Sequence, residues 1–233
     1  MNIKAEPYNW PFDGDLTSAN TALIVIDMQY DFCGEKGWCG VRDLDMKMTS
    51  SIVPALQRLL AAARKTPGFT VIHTREGHRA DLSDLPANKR WRSKLWGAEI
   101  GTEGPYGRYL TRGEKTWDIL PELAPAAGEP VIDKCGKGAF TATDLEQILR
   151  LKGIRNLILT GVTTECCVQT TMRVANDLGF ECVMLADCTQ STVQENYEYH
   201  MWHTRTTGLF GVLSDSAQII AWLEGQAATA HTK

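Results

Sequence analysis

The chain has 233 residues and a formal net charge of −4, within the range of one α/β domain that buries its core without disulfides or metal. Its 24 basic residues form no long block, which argues against nucleic acid or an anionic membrane as the main partner. The opening stretch MNIKAEPYNWPFDGD has no apolar segment of the signal-peptide kind, and no apolar run is long enough to span a bilayer. Seven cysteines, an odd number with no C-x-x-C pair, read as reduced thiols in a cytoplasmic protein.

Strands and helices alternate along the chain. Residues 21–27 (TALIVID) are almost continuously apolar, as in a strand buried on both faces of a parallel sheet. Residues 44–65 carry helical spacing, with Ile52, Leu56, Leu59 and Leu60 on one face. FTVIH (69–73) is the second strand. Residues 75–117 are polar and irregular, rich in Gly, Arg and Trp; so long a connection is expected to cover an active site or meet a subunit. A third strand is expected over 130–133, a helix over 141–151, a fourth strand over 156–160 and a helix over 166–178, closed by Gly179. A fifth strand over 181–185, a helix over 194–207, a short strand over 209–213 and a last helix over 214–223 complete the series, with a frayed tail from Gly225. This rhythm predicts a single doubly wound, Rossmann-like α/β domain over 1–233, its core about 21–224, with a parallel sheet of about six strands and helices on both faces.

In such folds ligands bind beyond the carboxyl ends of the strands, and three of those ends carry reactive side chains. Asp27 closes the first apolar strand; such a carboxylate is poorly solvated, and a cation nearby favours its charged form. As a common turn residue, it also reads as a cap for the loop that follows. Lys134 follows the third strand in VIDKCGKGAF, with Lys137 as a competitor. Cys167 lies in LTGVTTECCVQTTM, where a strand turns through a Thr-rich loop into a helix start. Free N–H groups and the dipole there favour a thiolate and can hold an oxyanion, although the commoner fate of a cysteine is a buried core thiol. Cys166 must face elsewhere.

Taken together, LIVIDMQYDF around Asp27, DKCGKGAFTATDL around Lys134 and LTGVTTECCV around Cys167 resemble the isochorismatase-like cysteine hydrolases from Thr21 to Asp215. The resemblance implies an Asp27–Lys134–Cys167 triad. The Gly138-Ala139-Phe140 motif selects Lys134 over Lys137, and the Val after the nucleophile selects Cys167 over Cys166. It also implies a cis peptide between Val162 and Thr163, and an oxyanion hole from the backbone N–H groups of Thr163 and Cys167. Phe32, Lys137 and Thr207 are expected to touch substrate. No cofactor is expected, and a homo-oligomer, dimer or tetramer, is expected by resemblance only.

The segment HTREGHRADLSDLPANKRWRS with GPYGRYLTRGEKTWDILPEL resembles most the biuret and triuret hydrolase branch, with ureidoacrylate amidohydrolases more distant. The implied activity is cleavage of a terminal C–N bond of a small ureido compound, with release of ammonia through a thioester. Thr207, standing where biuret-type relatives place a longer glutamine, favours triuret over biuret. The alternatives are a ureidoacrylate or N-carbamoyl amidohydrolase, a nicotinamidase-like amidase and a non-catalytic binding member of the fold. Glu76 and His78 stand where a nicotinamidase has an Asp-x-His metal motif, but one carboxylate and one His are too few ligands, so no metal is expected. His200 and His203 share a helix and read as surface or core.

Overall fold

A computed structural model describes residues 1–230. In chain order it contains β1 (Thr21–Ile26), α1 (Tyr30–Cys33), α2 (Met46–Ser50), α3 (Val53–Lys65), β2 (Thr70–Glu76), α4 (Ala87–Leu95), β3 (Glu103–Gly104), β4 (Gly107–Arg108) and β5 (Val131–Lys134). There follow α5 (Leu145–Leu151), β6 (Asn156–Val162), a π-helical turn (Thr164–Val168), α6 (Gln169–Asp177), β7 (Glu181–Gln190), α7 (Gln194–Thr207), β8 (Val212–Ser214) and α8 (Ser216–Ala230). Six strands form one all-parallel sheet in the order β5-β2-β1-β6-β7-β8. The chain winds outward from β1 to one edge, then returns to β6 and winds to the other. The change of direction lies between β1 and β6, where this topology opens a crevice. Among the described residues no helix is long and apolar enough to cross a membrane.

The sheet is buried on both faces, which explains its continuous apolar strands. Successive side chains of β1 point to opposite sides. Leu23 and Val25 join a core with Leu56, Leu59 and Leu60 of α3 and Ile219, Trp222 and Leu223 of α8. Ala22, Ile24 and Ile26 join a second core with Leu145 and Leu149 of α5 and Met172 and Ala175 of α6. Each fully buried leucine contributes about 1.5–3 kcal/mol, so the strand ends project from a rigid platform.

Several boundaries differ from the sequence expectation. The helix expected over 44–65 is two helices. Pro54 lacks an N–H and is accommodated in the first turn of α3, not mid-helix, while Asp45 caps α2 by accepting from the Lys47 N–H at 2.9 Å. The tail from Gly225 is not frayed at first: α8 runs on to Ala230 through alanines that favour helix, and residues 231–233 lie outside the described residues. The 75–117 connection is not irregular throughout. It contains α4 and the small β3–β4 ribbon. Helix α4 escapes pattern reading because it buries only Ser93 and leaves Trp91 and Leu95 exposed.

Candidate active site

Four consecutive strands of the sheet deliver side chains to one point at their carboxyl ends. Asp27 follows β1 directly, with a left-handed backbone of φ +50°. β1 and β2 pair with Ile26 opposite Thr74, so the Thr74 hydroxyl reaches Asp27 and donates to Oδ1 at 2.6 Å. On the other side β6 presses close. A Cβ on Gly161, itself at φ +99°, would lie 2.0 Å from the Ile26 carbonyl oxygen, so only glycine lets the two strands meet here.

Lys134 ends β5, opposite Glu76 at the end of β2. Its Nζ lies 2.7 Å from Asp27 Oδ2 and 3.5 Å from Glu76 Oε2, and it donates to the Gly136 carbonyl at 3.1 Å. All three side chains are completely buried. Burial alone would pull the Lys134 ammonium towards neutrality, but Asp27, Cys167 and Glu76 outweigh it and hold the proton firmly. Glu76 Oε1 accepts from Lys89 and Lys137, each at 2.8 Å. Burial would raise the Glu76 carboxyl; Lys137, Lys134 and Lys89 together hold it well below the ordinary carboxylate range.

Cys167 sits in the π-helical turn after β6, where the Val168 N–H reaches back to the Thr163 carbonyl at 3.2 Å. The Val162–Thr163 peptide is cis. The Cys167 carbonyl accepts from the Thr171 hydroxyl at 2.7 Å, and that hydroxyl accepts from the Ala139 N–H at 3.1 Å. The Gly138-Ala139-Phe140 motif thus docks the Lys134 loop onto the segment bearing the thiol. Cys167 is 3% exposed, and its Sγ donates to Glu76 Oε2 at 3.3 Å. Cys166 is half-buried and lines the same cleft as Cys167, so the expectation that it faces elsewhere is not met.

Helix-start geometry led us to expect a stabilised thiolate. The structure reverses this for the resting protein. The neighbouring Cys166 thiol and burial push Cys167 well above the ordinary thiol range, against the pull of Lys134. These surroundings favour the thiol form of Cys167, so a base must take its proton before it can attack. Three buried or half-buried ammonium groups, Lys89, Lys134 and Lys137, face two carboxylates, Asp27 and Glu76. This excess of positive charge matches a thiolate or an oxyanion.

A cleft of about 250 Å³ opens over Cys167, walled by Phe32, Trp38, Trp96 and Val193, with Lys137 and Thr163 on its lining. The 75–117 connection contributes Trp96 to this wall and Lys89 to Glu76, which answers why it is long. Trp38, Trp96 and Lys137 also border an adjoining hollow of about 390 Å³. Asp27, Lys134 and Cys167 are brought together as expected from the motifs, and Phe32 and Lys137 reach the same cleft. Thr207 does not. It is exposed in the last turn of α7, its hydroxyl spent on the His203 carbonyl at 2.8 Å, and it is not on the cleft lining.

The sequence pattern offers Glu76 only as half of an incomplete Glu76–His78 metal motif. The structure carries β2 three residues beyond its expected end, to Glu76. With the strand end placed there, the rule that found Asp27 and Lys134 finds Glu76 too. His78 turns its Nδ1 to Asp84 at 3.2 Å; the cluster that forms instead is Asp27, Glu76 and Cys167, whose potential ligand atoms lie within 4.8 Å of one another. The Lys134 ammonium, ion-paired with both carboxylates, is a poor neighbour for a divalent cation there. His200 and His203 pack against Tyr199, and His203 also stacks on Phe210.

The isochorismatase domain model matches residues 21–218. The chain belongs to the isochorismatase family. Among the relatives of this family member is the ureidoacrylate amidohydrolase RutB of Yersinia enterocolitica, 33% identical over 193 residues that cover 81% of this chain and 80% of the relative. RutB of Agrobacterium fabrum is 29% identical over 219 residues, covering 88% and 94%. The isochorismatase fold is equally plain in a cysteine hydrolase from Pseudomonas syringae pv. phaseolicola, with a TM-score of 0.78 at 23% identity over 97% of this chain and all of that one.

Proposed function

We propose that the protein is a cysteine amidohydrolase that cleaves a terminal C–N bond of a small ureido compound and releases ammonia. The observation that carries this reading is a buried thiol on the lining of a cleft that donates to Glu76 and lies within 4.8 Å of Asp27, with Lys134 paired to both carboxylates. A thiol so placed has a proton acceptor and a charge-matched setting, the two requirements of nucleophilic catalysis.

In this reading Asp27 takes the Cys167 proton. Glu76 faces three ammonium groups and is a weak acceptor, whereas Asp27 faces one; Glu76 orients the thiol and two lysines. The thiolate attacks the carbonyl carbon, and the N–H groups of Thr163 and Cys167 receive the oxyanion. The proton on Asp27 passes to the departing nitrogen, and ammonia leaves a thioester. Water, deprotonated by Asp27, hydrolyses it and restores the thiol. No metal or cofactor enters the scheme. The binding-module alternative is disfavoured because the chain keeps the thiol, the base and the lysine.

The names of the relatives point to ureidoacrylate, the alternative in the sequence reading, rather than to triuret or biuret. The resemblance of residues 73–93 and 104–123 points to triuret and biuret, but Thr207, exposed and off the cleft lining, gives triuret no geometric support. The test is ammonia release from ureidoacrylate, biuret, triuret and simple amides by wild type, Cys167→Ala and Cys166→Ala. We expect release from at least one ureido compound, lost about 10³-fold or more in Cys167→Ala and kept within about tenfold in Cys166→Ala. Equal loss in both variants, or release that survives Cys167→Ala, refutes the assignment. A homo-oligomer is part of the proposal, to be checked by light scattering.

A further inference from the structure

Two polar groups on the cleft lining each carry a buried atom with no hydrogen-bond partner. Arg42 lies over two neighbouring indoles, its guanidinium carbon 4.6 Å from the ring centre of Trp38 and 4.9 Å from that of Trp96. Its Nε is buried and without a hydrogen-bond partner. Glu165, two residues before the nucleophile, has a buried Oε2 that is likewise unpartnered. Both line the cleft that holds Cys167. Opposite in charge, they nonetheless form no ion pair with each other, and neither makes one with any other described residue.

A buried donor or acceptor left unpaired costs about 1–3 kcal/mol, so such a pair beside a nucleophile calls for a ligand. A guanidinium N–H donates to a carbonyl oxygen, and a carboxylate accepts from an N–H. An amide offers both within one planar group. A carboxylate offers Arg42 a partner but meets Glu165 as a like charge. The Trp38 and Trp96 rings hold Arg42 in place, and Phe32 and Val193 give a flat ureido chain apolar walls.

We propose that Arg42 and Glu165 form a polar subsite on the cleft lining and select a ureido compound ending in an uncharged amide over one ending in a carboxylate. This rests on the ureido amidohydrolase reading and narrows it.

The experiment measures kcat and KM for ammonia release from biuret and triuret, which end in amides, and from ureidoacrylate, which ends in a carboxylate. Wild type, Glu165→Gln and Arg42→Lys are compared, each first checked for native thermal unfolding. Wild type is expected to favour an amide-ended substrate by roughly tenfold or more in kcat/KM. Glu165→Gln should shrink that preference by a similar factor, chiefly through KM for ureidoacrylate, because the like charge is gone and an acceptor remains. Arg42→Lys keeps the charge but loses the fixed fork, and should raise KM for triuret more than it lowers kcat. A wild type that prefers ureidoacrylate overturns the subsite while leaving the amidohydrolase reading in place. So does a Glu165→Gln variant that lowers all three specificity constants equally. Absence of ammonia from every ureido compound brings down both.

Discussion

Glu76 and Glu129 stand at opposite ends of the same strand pair, β2 and β5, and each is held by several donors, three lysines around Glu76 and one arginine at Glu129. Glu129 accepts twice from Arg64, at 2.8 Å each, and from the Ala126 N–H at 2.8 Å, and pairs with His73 Nε2 at 2.9 Å. Burial lowers the His73 pKa and favours its neutral form, so that contact is a hydrogen bond more than an ion pair. Every partner of Glu129 is structural, and the group ties a turn to α3. It borders a hollow of about 520 Å³, larger than the cleft over Cys167, yet no cysteine lines it. Glu76 differs in one partner: a thiol. What separates a site from a lock is therefore the reactivity of what the carboxylate holds, not its burial, its charge or the size of the nearest cavity.

The comparison breaks first at the lysines. Lys134→Ala should lower kcat about 10²-fold or more, because it leaves Asp27 and Glu76 facing each other without the shared cation. Lys137→Ala should act more mildly and chiefly raise KM, since Lys137 lines the cleft. Steady-state kinetics of the two variants decide this, and near-wild-type turnover by Lys134→Ala contradicts it. Next comes Glu76→Gln. It retains an acceptor for the thiol but leaves Lys89 and Lys137 without their carboxylate and Lys134 with Asp27 alone, so kcat should fall about tenfold to a hundredfold and stability by about 3–5 kcal/mol. Glu76→Asp should recover part of both, read from kinetics and thermal unfolding together.

Glu129→Gln sharpens the contrast from the other side. Although burial opposes it, Arg64, the Ala126 N–H and His73 bring the Glu129 carboxyl down to about 2. A folded pKa below the unfolded value gives stability that is present above about 4.5 and lost as pH falls towards 2. The variant should lose only about 1 kcal/mol at neutral pH, since solvent screens the pair, and its unfolding temperature should fall less steeply on acidification. Its kcat should stay within twofold of wild type. Smaller still is the effect of exhaustive chelation: activity should persist, because the proposed chemistry uses no Lewis acid. Loss on chelation with recovery on Zn²⁺ would instead return Glu76 to the metal-ligand role.

The platform was legible in the sequence because apolar strands buried on both faces leave a continuous signal and alternate with helical spacing. Asp27, Lys134 and Cys167 were candidates because each follows a strand end, and it was the resemblance of their motifs to the family that selected Lys134 over Lys137 and Cys167 over Cys166. Glu76 escaped since HTRE is polar, and polar residues end a strand in pattern reading even when the ladder continues. Arg42 and Glu165 lie on segments with no periodic pattern, and their meaning depends on contacts across the fold. Thr207 was placed in the pocket by resemblance to biuret-type relatives, but position along a helix does not state which way the residue faces.

The central claim is that Cys167 carries the reaction as a covalent intermediate. It is tested most directly by mixing enzyme in excess with a turned-over ureido substrate, quenching in acid within the first turnover, and mapping peptides by mass. The account predicts a gain equal to the substrate less ammonia on the peptide bearing Cys166 and Cys167, located to Cys167 by fragmentation and absent from Cys167→Ala. Product formation during that turnover with Cys167 unmodified at every time sampled, or an adduct fixed on Cys166, would contradict it.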